Sequence, residues 1–158
     1  MLFGMSTFTF AHVAISVLAI LSGIVVMQSL LVSKWRGGWT ALFLLTTAIT
    51  SASGFGFARD QVLPSHVVSV ISLLVLAIAA LALYGKHLIF KWRWIYVVAA
   101  VISLYLNVFV LIVQLFQKVP ALHALAPTQA EAPFAIAQGA VLLAFVVLGF
   151  FAVRRFRP

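Results

Sequence analysis

The sequence predicts an all-α membrane protein, a polytopic bundle of five transmembrane helices with the N-terminus outside and the C-terminus in the cytoplasm. Three observations predict this fold class. Of the 158 residues, 65% are hydrophobic and only 8% are charged, and the mean hydropathy is +1.24, whereas a soluble domain carries far more charge. Several apolar runs approach the roughly 20 residues that a helix needs to cross a bilayer. The basic residues gather between alternate runs, as they do in cytoplasmic loops.

Five apolar runs are the predicted helices, and they leave room for only one domain, residues 1–158. They extend over Phe8–Val32, Trp39–Phe57, Val67–Tyr84, Trp94–Phe116 and Phe134–Val153. Each span must satisfy its own backbone hydrogen bonds, so spans are helices or a closed barrel. The runs are continuous and do not alternate as barrel strands do, which favours helices. The second run is the least apolar, because it contains several Thr and Ser residues, but it carries no charge.

The Lys and Arg residues predict the orientation. If the N-terminus lies outside, eight of the ten fall on the cytoplasmic side and two on the outer side, in agreement with the positive-inside rule. The eight are Lys34, Arg36, Lys86, Lys91, Arg93, Arg154, Arg155 and Arg157, and the two are Arg59 and Lys118. The net charge of +8 is thus explained by basic residues that lie mainly in the predicted cytoplasmic loops. The predicted partners are membrane lipids and not nucleic acid. The sequence does not decide whether the protein also binds other membrane subunits or forms a homo-oligomer.

The distribution of reactive side chains argues against most enzyme classes. The chain has no cysteine, which excludes thiol chemistry and thiolate metal sites. Its two acidic residues, Asp60 and Glu131, lie in the predicted outer loops, so no run offers a carboxylate for proton coupling and no carboxylate pair is available for hydrolysis. The spacing of Ser53, Asp60 and His66 does not resemble a nucleophile elbow. The sequence therefore favours a non-enzymatic role and leaves a metal site undecided.

Polar side chains within the runs concentrate in the outer half of the predicted bundle. We expect six of them, drawn from five helices, to line one pocket that combines apolar walls with a few polar groups. The candidate cofactor-binding residues are His12 and His66, and the candidate ligand-binding residues are Ser53, Asn107, Gln114 and Gln138. The cytoplasmic halves are almost purely aliphatic, and we expect them to pack as a dry plug.

Helical spacing predicts which faces point inward. Residues that share a helix face recur at steps of three, four and seven, and three polar stripes follow this rule. They are His12, Ser16, Ala19 and Gly23 on the first run, Thr47, Thr50 and Gly54 on the second, and Ala100, Ser103, Asn107 and Gln114 on the fourth. Small residues let helices approach closely and amides hydrogen-bond between helices, so helix packing alone is an alternative explanation of the stripes.

Two functional hypotheses follow from different classes. In the first, the protein is a non-enzymatic binding or accessory subunit with a polar pocket in the outer-leaflet half. In the alternative, it carries electrons, and His12 and His66 either hold haem b as an axial pair or face a quinone. A reddish colour of the purified protein would indicate bound haem and so distinguish the haem alternative from the first hypothesis.

One part of the chain carries a resemblance. The stretch LNVFVLIVQLFQKVPALHALAPTQAEAPF, with TSASGF before it, resembles small bacterial inner-membrane proteins to which no activity is assigned. The resemblance extends over most of the chain and implies a multi-pass location in the bacterial cell inner membrane. It implies no mechanism and no binding residue.

Overall fold

The computed structural model describes residues 6–56 and 64–157, and all regular structure within these ranges is helical. The helices are α1 (Thr7–Leu31), α2 (Gly37–Ser53), α3 (Pro64–Ala80), α4 (Trp92–Lys118), α5 (Pro120–Leu125) and α6 (Ala132–Arg155). A 3₁₀ turn, Gly54–Gly56, follows α2, and a π-helical segment, Leu81–Gly85, follows α3. The all-α prediction is confirmed for the described residues. Phe57, Arg59 and Asp60, which the sequence places in or after the second run, lie outside them.

Four helical segments are long and apolar enough to cross a membrane. They are Thr7–Leu31, His66–Gly85, Trp92–Lys118 and Ala132–Arg155. Helix α2 has 17 residues and is shorter than these four. By length and composition, the protein is therefore an all-helical membrane protein with four candidate spans in the described part of the chain.

The long helices form a closed ring of four with a fifth helix at its edge. Helix α1 contacts α2 and α4, and α3 contacts the same two helices, so α2 and α4 occupy opposite corners. Helix α6 packs against α4 and α1. Among the described residues of α6, Ala152 alone is fully buried. The ring thus holds the core, and α6 lies against one side of it.

One end of the ring, here the basic end, carries Lys34, Arg36, Arg93 and Arg154 and is closed by the last residues of the chain. Phe156 has no exposed surface, and its ring centroid lies 6.2 Å from that of Tyr96 and 6.5 Å from that of Trp35. Two polar contacts fix the tail: the Arg93 guanidinium donates to the Phe156 carbonyl, and the Ser33 hydroxyl donates to the Arg157 carbonyl at 2.9 Å. The C-terminal tail therefore ties α6 to the connection before α2 and to the first turns of α4.

The basic end was expected to be an almost purely aliphatic dry plug, and its composition differs from that expectation. Most buried hydrophobic residues, such as Leu30 and Val97, lie towards this end. The core there is not purely aliphatic, however, because Tyr96 and Thr40 are buried in it with 0% and 1% exposure. Large aromatic side chains fill the space between helices that converge on the tail.

Candidate functional site

The polar side chains of α2 form hydrogen bonds to three neighbouring helices. The pairs are Ser16–Thr50 at 3.4 Å between α1 and α2, Ser51–Ser72 at 3.0 Å between α2 and α3, and Asn107–Thr47 at 3.0 Å between α4 and α2. Lipid offers no partner for such groups, so each bond satisfies a donor and an acceptor that would otherwise be costly to bury. Helix α2 thus makes polar contacts with all three other helices of the ring.

A histidine and a serine meet at the opposite end of the ring from the basic end. The Nδ1 atom of the half-buried His12 lies 2.7 Å from the Ser53 hydroxyl. The same hydroxyl also lies 3.1 Å from the Thr50 carbonyl oxygen, and the imidazole tautomer decides which of His12 and Ser53 donates in their pair. The Ser16 hydroxyl, which donates to the His12 carbonyl at 2.7 Å, fixes the turn of α1 below it. The imidazole is therefore held in one orientation by α2.

His66 lies at the same end and stacks on an aromatic ring. Its imidazole is nearly parallel to the Phe55 ring, with an interplanar angle of 7° and centroids 5.7 Å apart. Phe55 belongs to the 3₁₀ turn that follows Ser53, so the stack and the His12–Ser53 pair adjoin one another along the chain. Phe55, His66, Val67 and Val70 are the described residues that line an open surface cavity of about 400 Å³. This end, here the histidine end, combines a small cavity with two oriented imidazoles.

Gly54 lies close to α3 where α2 ends. A Cβ atom placed on Gly54 would lie 3.0 Å from the Ser69 hydroxyl oxygen, so a larger residue there would require the Ser69 side chain to shift by a few tenths of an ångström.

The three predicted amide side chains take different places. Asn107 reaches α2 through Thr47. The Gln138 amide donates to the Phe109 carbonyl at 3.2 Å and so links α6 to α4. Gln114 is half-buried on α4. Asn107 and Gln138 thus connect helices, which is the packing role that amide side chains have in membrane bundles.

Three of the six predicted site residues, His12, Ser53 and His66, lie together at the histidine end. The structure brings His12 and Ser53 into contact and places His66 beside Phe55, two positions after Ser53. Of the six, His66 alone is among the described residues that line the cavity at the histidine end. Asn107 on α4 hydrogen-bonds to Thr47 on α2, and Gln138 on α6 hydrogen-bonds to the backbone of α4. A pocket lined by all six residues stays a prediction, as does their part in binding.

Sequence reasoning missed Phe55 and Ser72 as site residues. Phe55 carried a signal, because it stands between two glycines directly after a polar helix, a setting that brings a backbone close to a neighbour. Ser72 carried none, since a single serine in an apolar helix is common and its partner Ser51 lies 21 residues away.

Glu131 is the one acidic residue within residues 6–56 and 64–157. It directly precedes α6, and the Thr128 hydroxyl donates to its Oε1 atom at 2.8 Å, whereas its Oε2 atom is buried without a hydrogen-bond partner among the described residues. The hydrogen bond from Thr128 lowers the pKa of Glu131 from its ordinary value. Within residues 6–56 and 64–157, no three His, Asp or Glu side chains lie close enough together to hold a metal ion.

No family model, no curated protein and no solved structure matches this chain. The function therefore has to be inferred from the geometry of the chain itself.

Proposed function

We propose that the protein crosses the bacterial inner membrane five times, with the histidine end outside and the basic end in the cytoplasm. Helix α2 supports the fifth crossing. Its 17 residues extend about 26 Å at 1.5 Å per residue, and the three-residue 3₁₀ turn adds about 6 Å, which together match a hydrocarbon core of about 30 Å. Helix α2 also packs between α1 and α3, both candidate spans. The gathering of Lys and Arg at the basic end supports the orientation.

The topology predicts where a reporter is active. A reporter enzyme that works only in the periplasm should give little signal when fused after Pro158, and strong signal when fused before Met1, because five crossings put the two termini on opposite sides. A four-span protein would place both termini on one side. Strong periplasmic activity of the C-terminal fusion contradicts the orientation, and equal activity of both fusions contradicts the five crossings.

We propose further that the protein is a non-enzymatic binding or accessory subunit whose ligand enters the cavity at the histidine end. The Phe55–His66 stack at the cavity is the observation that carries this proposal. Val67 and Val70 supply apolar walls, and the imidazole supplies a hydrogen-bonding group, which is the mixture that small-molecule sites use. The bound molecule is then small and amphipathic and reaches the site from the outer leaflet.

A quinone is the second candidate ligand, and the stack favours it. A flat ring system gains offset-stacking energy against an aromatic face, and its carbonyl oxygen accepts a hydrogen bond from a neighbouring imidazole. In the haem version of this alternative, the imidazoles of His12 and His66 would hold the haem iron. Absorption spectra of the purified protein separate these outcomes, because haem absorbs strongly in the visible range and a bound quinone absorbs in the ultraviolet.

His66→Ala should reduce ligand retention about fivefold, the equivalent of one hydrogen bond, while the unfolding midpoint changes little. The reason is that His66 lines the cavity and is only half-buried. The protein is purified in mild detergent, and the small molecules that accompany it are identified and quantified by mass spectrometry. The matched control is Gln28→Ala, since Gln28 is an exposed polar residue towards the basic end. Equal retention in both variants contradicts a site at the histidine end.

A further inference from the structure

A second concavity lies far from the histidine end, between α4 and α6. It has a volume of about 470 Å³ and opens towards the surroundings of the bundle. Of the eleven described residues that line it, Arg154 alone is charged, and nearly all others are aliphatic or aromatic. Its volume falls within the range of small-molecule sites, although no predicted site residue borders it.

The groove has the length of one membrane leaflet. Its lining on α6 extends from Leu142 to Arg154, which is about 18 Å along the helix axis at 1.5 Å per residue. Half of a typical hydrocarbon core is about 15 Å. Arg154 stands at the basic end, so the groove begins where headgroups would lie and ends near the middle of the bilayer.

Close packing of α6 on α4 makes the floor of the groove. Gly149 faces Val101, and a Cβ atom on this glycine would lie 3.2 Å from the Val101 Cγ1 atom. Val146 and Phe150 stand at the exposed wall with 60% and 52% of their surface accessible. The groove is therefore an exposed apolar channel with a fixed floor.

The charge at its end selects the occupant. Neither α4 nor α6 carries an acidic side chain, and the Arg154 guanidinium lies 4.3 Å from the centroid of the Phe150 ring. Stacking on an aromatic face positions the planar guanidinium and leaves its edges able to donate to a phosphate in bidentate fashion. A second copy related by a two-fold axis would bring two such guanidinium groups to one interface without a carboxylate between them.

We infer that the α4–α6 groove binds an anionic phospholipid, with one acyl chain along α6 and the phosphate on Arg154. This site is independent of the proposed function at the histidine end. It also differs from general attraction of anionic lipids to basic loops, because it requires one particular arginine and one particular groove.

The test uses the full chain, stripped of lipid in mild detergent and titrated with phosphatidylglycerol or with phosphatidylcholine of the same acyl chains, and bound lipid is counted by native mass spectrometry. We expect one phosphatidylglycerol to bind more tightly than phosphatidylcholine. Arg154→Gln should weaken phosphatidylglycerol binding about fivefold, whereas Arg155→Gln should not, because Arg155 lies over Phe151 and outside the groove. Equal effects of the two variants overturn the proposal.

The groove itself is tested by a matched pair of tryptophan variants. Ile102→Trp places a ring in the groove and should weaken binding at least about tenfold. Leu143→Trp adds the same ring at a position that is 65% exposed and does not line the groove, and it should leave binding unchanged. If Ile102→Trp fails to fold, the comparison of Arg154→Gln with Arg155→Gln still tests the proposal. The proposal is overturned if Ile102→Trp binds the lipid as tightly as the parent protein does. It is also overturned if the parent protein is a dimer and Ile102→Trp is a monomer.

Discussion

Replacing Gly23 by leucine is expected to lower the free energy of unfolding by about 3 kcal/mol, the upper range for overpacking a core. Gly23 is buried on α1, where α2 and α4 both approach it. A Cβ atom there would lie 2.5 Å from the Leu104 Cδ1 atom and 2.9 Å from the Phe43 Cε2 atom. Phe43 and Leu104 are 1% and 3% exposed, so neither side chain has free space to move into. Unfolding in mixed micelles with increasing denaturing detergent measures the loss.

The control for Gly23 is Gly139 on α6. A Cβ atom on Gly139 meets nothing within 4 Å, and the residue is exposed. Gly139→Leu has the same change in helix propensity and in hydrophobicity, but it adds its side chain to the outer surface. The difference between the two variants therefore isolates the packing cost. If both variants unfold at the same detergent fraction, the close approach of the three helices at Gly23 is wrong.

Helical spacing predicted the inward faces well. The stripe on the first run points into the ring, since Ala19 and Gly23 are buried and Ser16 hydrogen-bonds to Thr50. The stripe on the fourth run behaves similarly, with Ser103 buried and Asn107 bonded to α2. Spacing succeeds here because a polar or small residue in a membrane helix avoids lipid, so the face that carries it turns towards protein.

The helix neighbours could not be predicted from the same pattern. Lipid chains are as apolar as a leucine core, so an apolar face indicates neither burial nor its partner. Helix α6 illustrates this, because its sequence is as apolar as that of α1 and yet only Ala152 is fully buried among its described residues. The sequence placed Gln138 on the fifth run but did not predict that its amide donates to the α4 backbone. The inward face of a helix is thus readable from helical spacing, whereas its neighbours around the bundle are not.

At the histidine end, too, the sequence predicted which residues lie at the same end of the bundle but not the contacts between them. The sequence located His12, Ser53 and His66 in one half of the predicted membrane, and the structure places all three at one end of the bundle. The contact that orders the cavity, Phe55 against His66, joins a 3₁₀ turn to the helix after it. Such a contact depends on how two segments approach in space, and no periodic pattern records that approach.

Tyr96→Ala should be the most destabilising substitution at the basic end, with a loss of about 3–5 kcal/mol in the free energy of unfolding. Tyr96 has no exposed surface. Its ring packs at 61° against Trp35, with centroids 6.3 Å apart, and against Phe156. Truncation leaves a cavity between three elements and also releases the tail, because Phe156 loses a wall of its pocket. The loss of tail contacts should appear as faster proteolysis of the C-terminus, measured together with unfolding in micelles.

Two variants test whether the ring of Tyr96 or its hydroxyl is responsible. The hydroxyl is buried beside the Thr40 hydroxyl, and one neutral hydrogen bond contributes only about 1 kcal/mol, so Tyr96→Phe should stay within about 1 kcal/mol of the parent protein. Tyr84→Ala removes the same side chain from a position that is 56% exposed, and a change of no more than about 0.5 kcal/mol is expected. A large loss in Tyr96→Phe would mean that a polar contact holds the basic end closed. A small loss in Tyr96→Ala would mean that the tail is held by Arg93 and Ser33 alone, since their bonds to the Phe156 and Arg157 backbone do not involve the ring.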